Sequence, residues 1–572
     1  MSWIIGYHGR SNETITKKIK HILPSNFIQA KSTSIEVYGG GLASTTFLKM
    51  SSDESRGLFV CGLGIKTEYG KTKFMDTSDW ENIKLGKLDE IRKLNGHFAG
   101  VKWNPSSLKL FTDVLGLREM YLTSIHTAIV FSTRVDWLSQ LRSDCDIDFE
   151  QFSTVWLSFN QLSHKSVVSH IERLGPGCIA RLENGKIKYH RIAWLPEVSQ
   201  PSSPEHLIEK IKKFTLFPLS NNRKISLGLS GGIDSRVVFS ILSGQVREGW
   251  GLHAFGDPHH PDLQIAQKIS EKFKLNLTPI YTEFPEADEC VEMIKSHFGQ
   301  NTIHIPASEI LRLRWYIPLY KENKIVIDGG FGEIARRQYL NRLLLLGRKA
   351  LKEKNSAKIS KYLRHHRTAI FNSETMQIME DGFQKQILAL LKTMPDAATF
   401  GSENWLDLLA IRTRLANWNG FAQACIDGIA VNYMPFAQPE LLTEVLNLPL
   451  KFRKNGRLWR KIIRTYQAEL THIPLVKGST TYPFWLSTKG TMLWSIMKQK
   501  FGTVYQDQES ARLIDHLQEF IRDTLYSQTV RTCPYYDYPA LKNRVDSYFA
   551  GEKRYAREID WWIAFELWRR TL

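Results

Sequence analysis

The segment 230–235 reads Ser-Gly-Gly-Ile-Asp-Ser and carries residue types that could bind a phosphate group. It lies between an apolar strand and a helical run, so its glycines could curl the backbone and turn N–H groups inward as an anion nest. The start of the following helix adds its dipole and its unpaired N–H groups. The hydroxyls of Ser230 and Ser235 can donate hydrogen bonds to phosphate oxygens. The alternative is a structural glycine turn with a serine cap.

Asp234 is the unusual member of this segment. A carboxylate beside phosphates repels them unless a Mg²⁺ ion lies between the two. The composition therefore predicts a nucleotide bound with magnesium, and Asp234 as a ligand of the metal. A Walker A loop needs Gly-Lys-Ser/Thr after a four-residue spacer, and this segment does not contain it.

Two further segments end predicted strands. Asp328 closes the predicted strand 324–328, at the carboxyl edge where α/β sheets bind ligands, so it could reach the metal; alternatively, it only caps the next helix. Phe255 and Gly256 end the predicted strand 251–255 and should meet the adenine ring. The predicted ATP-binding residues are Leu229, Ser230, Gly231, Gly232, Asp234, Ser235, Phe255, Gly256 and Gly330.

The elements that must position these residues fall into two regions. Residues 1–195 contain short β-prone runs separated by turn residues, and the proline-rich stretch 196–205 is the best linker candidate. In residues 206–572, strands alternate with helices at first, which predicts a parallel α/β sheet covered on both faces. From about residue 336 onward the pattern predicts helices. The predicted strands of the sheet are 224–229, 251–255, 277–281 and 324–328.

Composition and charge narrow the class of protein. The chain has 572 residues and a net charge of +18, which favours an anionic partner such as nucleotide phosphates, pyrophosphate, nucleic acid or an acidic peptide. The segment 348–367 holds eight basic residues and one acid, so it is either a solvated helix face or a docking surface. The six separated cysteines favour free thiols. No apolar run approaches a membrane span and no signal-peptide pattern begins the chain, so we expect a cytoplasmic protein.

The Ser-Gly-Gly-x-Asp-Ser motif resembles the signature of the PP-loop ATP pyrophosphatases, which cut ATP between the α and β phosphates and adenylate an oxygen of the substrate. Ordered landmarks are similar to those of asparagine synthetase, a member of that superfamily. The resemblance implies an Ntn-hydrolase-like, β-rich αββα domain over 1–195 and a parallel α/β PP-loop domain with added helices over 206–572. The landmark segments are 93–100, 111–122, 130–133, 174–177, 260–266, 435–436, 446–453 and 477–479.

The resemblance also implies roles for individual residues. Lys477 stands where the family has a pyrophosphate-binding lysine, and Glu333 where it has a catalytic acid or base. In the same loop Gly332 replaces a metal-binding aspartate of the family. Arg336 and Arg337 could face the polyphosphate, or they could belong to an exposed helix face. The predicted catalytic residues are Lys477, Glu333 and Asp328, and the predicted metal ligands are Asp234 and Asp328.

The N-terminal region departs from the family pattern. Ser2 stands where asparagine synthetase has the cysteine that cuts glutamine, and the segment 61–65 lacks the family's glutamine-holding residues. This implies an inactive glutaminase half, so the amine must come from elsewhere. β-Lactam synthetases and lasso-peptide cyclases have this property, and there the substrate's own amine closes a ring.

The sequence therefore predicts an ATP-dependent ligase that adenylates a small-molecule or peptide carboxylate and joins it to an amine, with ATP and Mg²⁺ as cofactors. Formation of a macrolactam or a lasso peptide is one form of this reaction. The alternatives are an amidotransferase that uses ammonia, a PP-loop enzyme acting on RNA, and a non-catalytic scaffold. A partner protein, such as a leader-peptide-binding protein or a protease, could use the basic surface. Neither a membrane nor a nucleic acid is expected as a partner.

Overall fold

The structure, a computed structural model, describes residues 2–9, 13–85, 88–183, 186–197, 201–280, 283–321, 324–502, 505 and 507–572. Residues 198–200 of the predicted linker and Tyr281 of a predicted strand lie outside the described residues. The strands are β1 Trp3–His8, β2 Ile28–Lys31, β3 Ile35–Gly40, β4 Thr46–Met50, β5 Gly57–Glu68, β6 Lys71–Phe74, β7 Asn95–Asn104, β8 Ser107–Thr112, β9 Tyr121–Ile125, β10 Ala128–Ser132, β11 Glu172–Arg173, β12 Cys178–Glu183, β13 Lys186–Arg191, β14 Lys224–Gly228, β15 Trp250–Phe255, β16 Leu277–Ile280, β17 Lys324–Ile327, β18 Asn432–Tyr433, β19 Leu475–Lys477 and β20 Thr480–Tyr482.

The α-helices of the described residues follow the same order along the chain. They are α1 Glu13–Ile22, α2 Thr77–Glu81, α3 Leu88–Arg92, α4 Val135–Gln140, α5 Phe149–Leu157, α6 Pro204–Ser220, α7 Ile233–Gln245, α8 Pro261–Phe273, α9 Ala287–Gln300, α10 Ala307–Ile310, α11 Ile317–Lys321, α12 Asn341–Leu346, α13 Arg348–Lys352, α14 Ser356–Leu363, α15 Ser373–Thr393, α16 Ala397–Phe400, α17 Ser402–Ala410, α18 Gly420–Ile426, α19 Pro439–Asn447, α20 Leu450–Arg453, α21 Arg457–Tyr466, α22 Thr488–Lys500, α23 Glu509–His516, α24 Gln518–Tyr526, α25 Gln528–Arg531, α26 Tyr538–Phe549 and α27 Ala556–Arg569. Within the described ranges, every helix is too short or too polar to span a bilayer.

Two antiparallel sheets form the N-terminal region. Their strand orders are β11-β9-β10-β1-β3-β2 and β13-β12-β8-β7-β5-β4, with β6 paired to β5. Successive side chains of a strand point to opposite faces, so Ile4 and Phe59 belong to the core between the sheets. Their neighbours Ile5 and Val60 belong to the outer cores, which the helices α1 and α2 cover. The described layers are therefore helix, sheet, sheet and helix, as the resemblance implies.

The second region is built on a parallel sheet, as the alternation of strands and helices predicts. Its order is β16-β15-β14-β17-β18, and each neighbouring pair is parallel. Along the chain, β15 and β16 are added on one side of β14, and β17 and β18 are added later on its other side. The strand order therefore reverses at β14. The carboxyl ends of β14 and β17 consequently border the crevice in which such sheets bind ligands.

The prediction that the chain is helical from residue 336 onward is wrong in three places. The two-residue strand β18 adds to the parallel sheet, and β19 pairs with β20 as an antiparallel hairpin. Strands of two or three residues are too short to show an alternation of apolar and polar side chains, so the sequence pattern could not reveal them.

The two regions are joined by a buried polar contact. The carboxylate of Asp427 pairs with Nε2 of His97 at 2.9 Å and with the guanidinium of Arg118 at 3.1 Å. Close by, the backbone N–H of Gly96 donates to Oε1 of Gln438 at 2.8 Å. Because these groups are buried and pair across the two regions, they hold the N-terminal sheets against the second region.

Candidate functional site

The loop 229–232 joins β14 to α7 at the carboxyl edge of the parallel sheet. The N–H of Gly231 donates to Oδ1 of Asp262 at 2.7 Å, and the N–H of Gly232 donates to Oγ of Ser230 at 3.2 Å. The loop thus already holds an anionic oxygen on a backbone N–H, which is the chemistry of an anion nest. Asp262 lies in the landmark segment 260–266, but the sequence analysis assigns it no role at this loop.

Gly231 is required here because of packing. A Cβ atom at this position would lie 2.2 Å from Cγ2 of Val476, and the N–H of Val476 donates to the carbonyl of Gly231 at 2.8 Å. The strand β19 therefore runs directly against the loop. It ends at Lys477, whose exposed side chain is brought beside the predicted phosphate site by the fold alone.

The second predicted loop, 328–333, packs on the first turn of α7. A Cβ atom on Gly329 would lie 2.5 Å from the backbone nitrogen of Ser235, and one on Gly332 would lie 2.7 Å from Oδ1 of Asp234. Both positions are therefore restricted to glycine by the close approach of the helix. In this arrangement no carboxylate side chain fits at residue 332.

Asp234 is held by two side chains from distant parts of the chain. Nε of Arg336 donates to Oδ1 at 2.8 Å, and a second guanidinium nitrogen contacts Oδ2. The indole N–H of Trp459 also donates to Oδ1, at 2.7 Å. Burial raises the pKa of the Asp234 carboxyl, and the positive charge of Arg336 opposes that shift. Of the two sequence interpretations of Arg336, the structure favours the one that places it at the predicted phosphate site.

In the structure the carboxylate of Asp234, the predicted Mg²⁺ ligand, contacts protein donors on both of its oxygens. Both carboxylate oxygens of Asp234 are engaged by Arg336 and Trp459, and Gly332 contributes no carboxylate. Oδ1 of Asp328 accepts the N–H of Gly330 at 2.7 Å. Among the described residues, no group of three or more His, Cys, Asp or Glu side chains is arranged to hold a metal ion. The cation beside Asp234 is therefore the guanidinium of Arg336.

A small polar cavity of about 30 Å³ lies at the start of α7, on the side of Arg336. Arg336, Arg460 and Lys477 line it together with Ile233 and Tyr482. Nη1 of Arg460 is buried without a hydrogen-bond partner, whereas its other terminal nitrogen donates to the carbonyl of Leu486 at 2.8 Å. The cavity has room for only about one or two water molecules, so its three cationic side chains and orphan donor can contact phosphate oxygens at its mouth but do not enclose an oligophosphate group.

A cleft of about 1160 Å³ opens on the other side of the loop. Its walls include every predicted ATP-binding residue except Gly231, which faces Asp262 and Val476 instead. Predicted residues that line it are Leu229, Ser230, Gly232, Asp234, Ser235, Phe255, Gly256, Asp328, Gly330 and Glu333.

Aromatic side chains line the cleft where β15 ends. Phe255 stacks on Trp315 with ring centroids 4.8 Å apart, and Tyr316 lies 5.0 Å from Phe255. Nε1 of Trp315 is buried without a hydrogen-bond partner. Gly256 follows with a φ of +131°, a backbone conformation that a residue with a side chain would adopt only with strain. These flat apolar surfaces with an orphan donor suit an aromatic base. The sequence interpretation found Phe255 but missed both partners.

Two acids lie in the cleft near the predicted phosphate loop. Oε2 of Glu333 accepts a hydrogen bond from the hydroxyl of Tyr339 at 3.1 Å. Burial raises the pKa of Asp328, and the negative charge of Glu333 adds to this shift. A carboxylate with a raised pKa is a better proton acceptor than an ordinary one, so Asp328 suits a general base.

The region around Ser2 is closed. The Ser2 side chain is fully buried, its hydroxyl contacts Oγ1 of Thr45, and its carbonyl accepts a hydrogen bond from Arg118 at 2.5 Å. Arg118 and His97 lie in the landmark segments that resemble a glutaminase, yet both pair with Asp427 of the second region. The described residues around Ser2 therefore form part of the buried interface between the two regions.

The basic segment 348–367 combines two kinds of side chain. Arg367 is buried, donates to the carbonyl of Ser158 at 2.6 Å and lies over the ring of Trp561. Lys349 and Lys352, in contrast, are exposed. The segment thus contributes to the core through Arg367 and leaves other cations on the surface.

No family model matches the chain, and no curated protein matches its sequence. Among solved structures, the chain is similar to the allosteric regulatory enzyme of purine biosynthesis, with 10% identity and a TM-score of 0.24 over 51% of this chain and 77% of that chain. It is also similar to the glutamine phosphoribosylpyrophosphate amidotransferase from B. subtilis complexed with ADP and GMP, with 10% identity and a TM-score of 0.24 over 57% of this chain and 81% of that chain. At this TM-score neither likeness assigns a fold family or an activity.

Proposed function

We propose that the chain is an ATP-dependent ligase that adenylates a carboxylate and transfers the acyl group to an amine. The observation that carries the proposal is the position of the loop 229–232. It lies at the reversal point of a parallel sheet, between an aromatic wall and a cavity lined by three cations. A nucleotide in this place would set its base against Phe255 and Trp315 and its terminal phosphates toward Arg336, Arg460 and Lys477.

The proposed chemistry follows from this orientation. The substrate carboxylate attacks the α-phosphorus of ATP, and pyrophosphate leaves toward the polar cavity. There Arg460 offers its unpartnered nitrogen, Lys477 adds a mobile positive charge, and Arg336 is fixed by Asp234. Because charge on the leaving group grows as the bond breaks, fixed cations stabilise the transition state more than the ground state.

The second step transfers the acyl group. The amine attacks the acyl carbon, AMP leaves, and the amine loses a proton. Asp328 is the proposed acceptor of that proton because burial raises its pKa. Glu333, which is held by the hydroxyl of Tyr339, is the proposed group that orients the amine.

We further propose that the N-terminal region does not hydrolyse glutamine. The hydroxyl of Ser2 is buried and contacts Thr45, and the neighbouring landmark residues His97 and Arg118 bind Asp427. The amine is then supplied by the substrate itself or as a free molecule. The resemblance to β-lactam synthetases and lasso-peptide cyclases supports this form of the reaction.

ATP–pyrophosphate exchange tests the proposal, because the enzyme should return labelled pyrophosphate to ATP when a substrate carboxylate is present. We expect exchange with at least one member of a panel of N-acyl amino acids and short peptides. Arg460→Met and Lys477→Met should each reduce exchange roughly 10- to 100-fold, the size of one lost charge-assisted contact in a transition state. Lys352→Gln, which removes an exposed cation far from the loop, is the matched control. Exchange that is equal in all four proteins would contradict the assignment of the polar cavity.

A further inference from the structure

A side cavity of about 280 Å³ adjoins the large cleft of about 1160 Å³ that is proposed to bind ATP. Tyr339 and Arg414 line both spaces, so together they form the wall between them. The remaining lining comes from both regions of the chain, which is a common place for ligand pockets. The side cavity is mostly apolar, and its lining includes Phe159, Leu162, Leu343, Leu363, Leu409 and Ala410.

The shared wall is built on an unusual piece of backbone. Residues Ile411–Asn419 form a π-helix between α17 and α18. Wider helical turns of this kind are rare and are found most often at functional sites. Here the π-helix contributes Arg414, Trp418 and Asn419 to the wall of the cleft.

Arg414 is the cationic side chain of this shared wall, and one of its N–H donors has no acceptor. Its guanidinium carbon lies 4.5 Å from the centroid of the Trp418 ring, and its Nε is buried without a hydrogen-bond partner. Among the described residues, no carboxylate forms an ion pair with it. Buried polar atoms normally have partners, so such a group at a cavity mouth indicates a ligand. Oδ1 of Asn419 and Oε1 of Gln423, which line the large cleft only, are also buried and unpartnered.

We propose that the side cavity and Arg414 form the subsite for the acyl substrate: Arg414 binds the carboxylate, and the cavity takes an apolar side chain next to it. This inference rests on the proposed function, because it places the acid that ATP activates. A guanidinium on the carboxylate offsets the repulsion between that carboxylate and the nucleotide phosphates. An apolar cavity of roughly 150 Å³ is enough for benzene, so the larger cavity here admits an aromatic or branched aliphatic side chain. The substrate class is thus an acid with a bulky apolar group beside the reactive carboxylate.

Direct binding tests the subsite with three probes and the full-length protein, by titration calorimetry in the presence of a non-hydrolysable ATP analogue. N-Acetyl-L-phenylalanine carries both features, N-acetylglycine lacks the side chain, and N-acetyl-L-phenylalaninamide lacks the carboxylate. We expect the first probe to bind at least tenfold more tightly than either of the others. Equal binding of all three probes, or no binding of any at millimolar concentration, would overturn the proposal.

Variants separate the two halves of the subsite. Arg414→Gln should remove the preference for the acid over the amide and leave the binding of the amide unchanged. Asn160→Trp, with Asn341→Trp as a second filling variant from the other region of the chain, should remove the preference for phenylalanine over glycine. Lys352→Gln should leave both preferences in place. Preferences that survive Arg414→Gln and both filling variants would overturn the proposal.

ATP–pyrophosphate exchange with the same probes distinguishes this inference from the proposed function. N-Acetyl-L-phenylalanine that binds with the expected preferences but supports no exchange would uphold the subsite and count against the ligase. Exchange that proceeds equally well with N-acetylglycine would uphold the ligase and overturn the subsite.

Discussion

The ion pair between Asp234 and Arg336 offers a sharp test of the site, because it joins the first turn of α7 to the loop that follows β17. We predict that Arg336→Gln destabilises the protein, that Asp234→Asn does so less, and that the double variant recovers part of the loss. The reason is that a single replacement leaves a buried charge without its partner, whereas the double replacement removes both charges.

The expected loss of unfolding free energy follows from the burial and geometry of this ion pair. The side chains of Arg336 and Asp234 are only 19% and 14% exposed, so water screens the pair weakly. Two charges about 4 Å apart at an effective dielectric constant of about 20 attract by about 4 kcal/mol, and breaking a buried pair costs about 3–5 kcal/mol. With partial exposure, we expect Arg336→Gln to cost about 3 kcal/mol, with a coupling free energy of about 2 kcal/mol between the two positions.

Urea unfolding of the parent, the two single variants and the double variant gives the coupling free energy. The pH dependence adds an independent check on its origin. Burial raises the pKa of Asp234 and Arg336 opposes that rise, so the pKa should rise further in Arg336→Gln. A raised acid pKa costs stability above that pKa and costs nothing below the unfolded value of about 3.9, so the defect should shrink as the pH falls toward 4. A coupling free energy below about 0.5 kcal/mol, or a defect independent of pH, would refute the reasoning.

Three further predictions concern other parts of the molecule. Lys477→Met should lower kcat and kcat/KM for ATP together, with little change in melting temperature. The reason is that this exposed lysine stabilises the transition state and does not pack in the core. Steady-state kinetics that match the parent would contradict this. With glutamine and ATP, the protein should release no glutamate, and the Ser2→Ala variant should keep the ligase activity. Glutamate release that disappears in Ser2→Ala would show that the N-terminal region is an active glutaminase. Acid should destabilise the protein, because burial lowers the pKa of His253 to about 3, of His304 to about 4 and of His297 well below its usual value. Each such histidine is neutral in the folded protein but protonates in the unfolded chain below about pH 6.5, so it lowers the free energy of unfolding by up to about 2 kcal/mol between pH 6.5 and 5. His253→Asn should therefore reduce the slope of the unfolding free energy against pH by up to one proton. An unchanged slope would be contrary to this account.

Much of the fold could be predicted from local patterns. The turn residues between the β-prone runs of 1–195 include Asn104, and in the structure Oδ1 of Asn104 accepts the N–H of Ser106 at 3.0 Å and that of Ser107 at 2.9 Å, at the turn between β7 and β8. The strand β17 likewise carries a continuous apolar run, Ile-Val-Ile, as expected of a strand that is buried on both faces. Such signals lie within a few residues of one another, so a single sequence displays them.

The candidate site could be predicted only where it depends on adjacent residues. The loop 229–232 and Phe255 were visible because a glycine pair and a strand end mark them. Arg460 and Arg414 were not, because nothing near them in sequence distinguishes them from the other basic residues of the chain; only the fold leaves their nitrogen atoms buried without partners. The contact between Asp234 and Arg336 was not visible either, since it depends on how loop 328–333 packs on α7.

The most direct test of the central claim is the fate of a carboxylate oxygen. The protein is incubated with ATP and an acid that supports pyrophosphate exchange, labelled with ¹⁸O in both carboxylate oxygens, and with hydroxylamine as the amine. The account predicts that AMP forms with one ¹⁸O atom on its phosphate, because the carboxylate oxygen that attacks the α-phosphorus stays with AMP when the amine displaces it. AMP without label, or ADP with labelled inorganic phosphate, would contradict adenylation at this site.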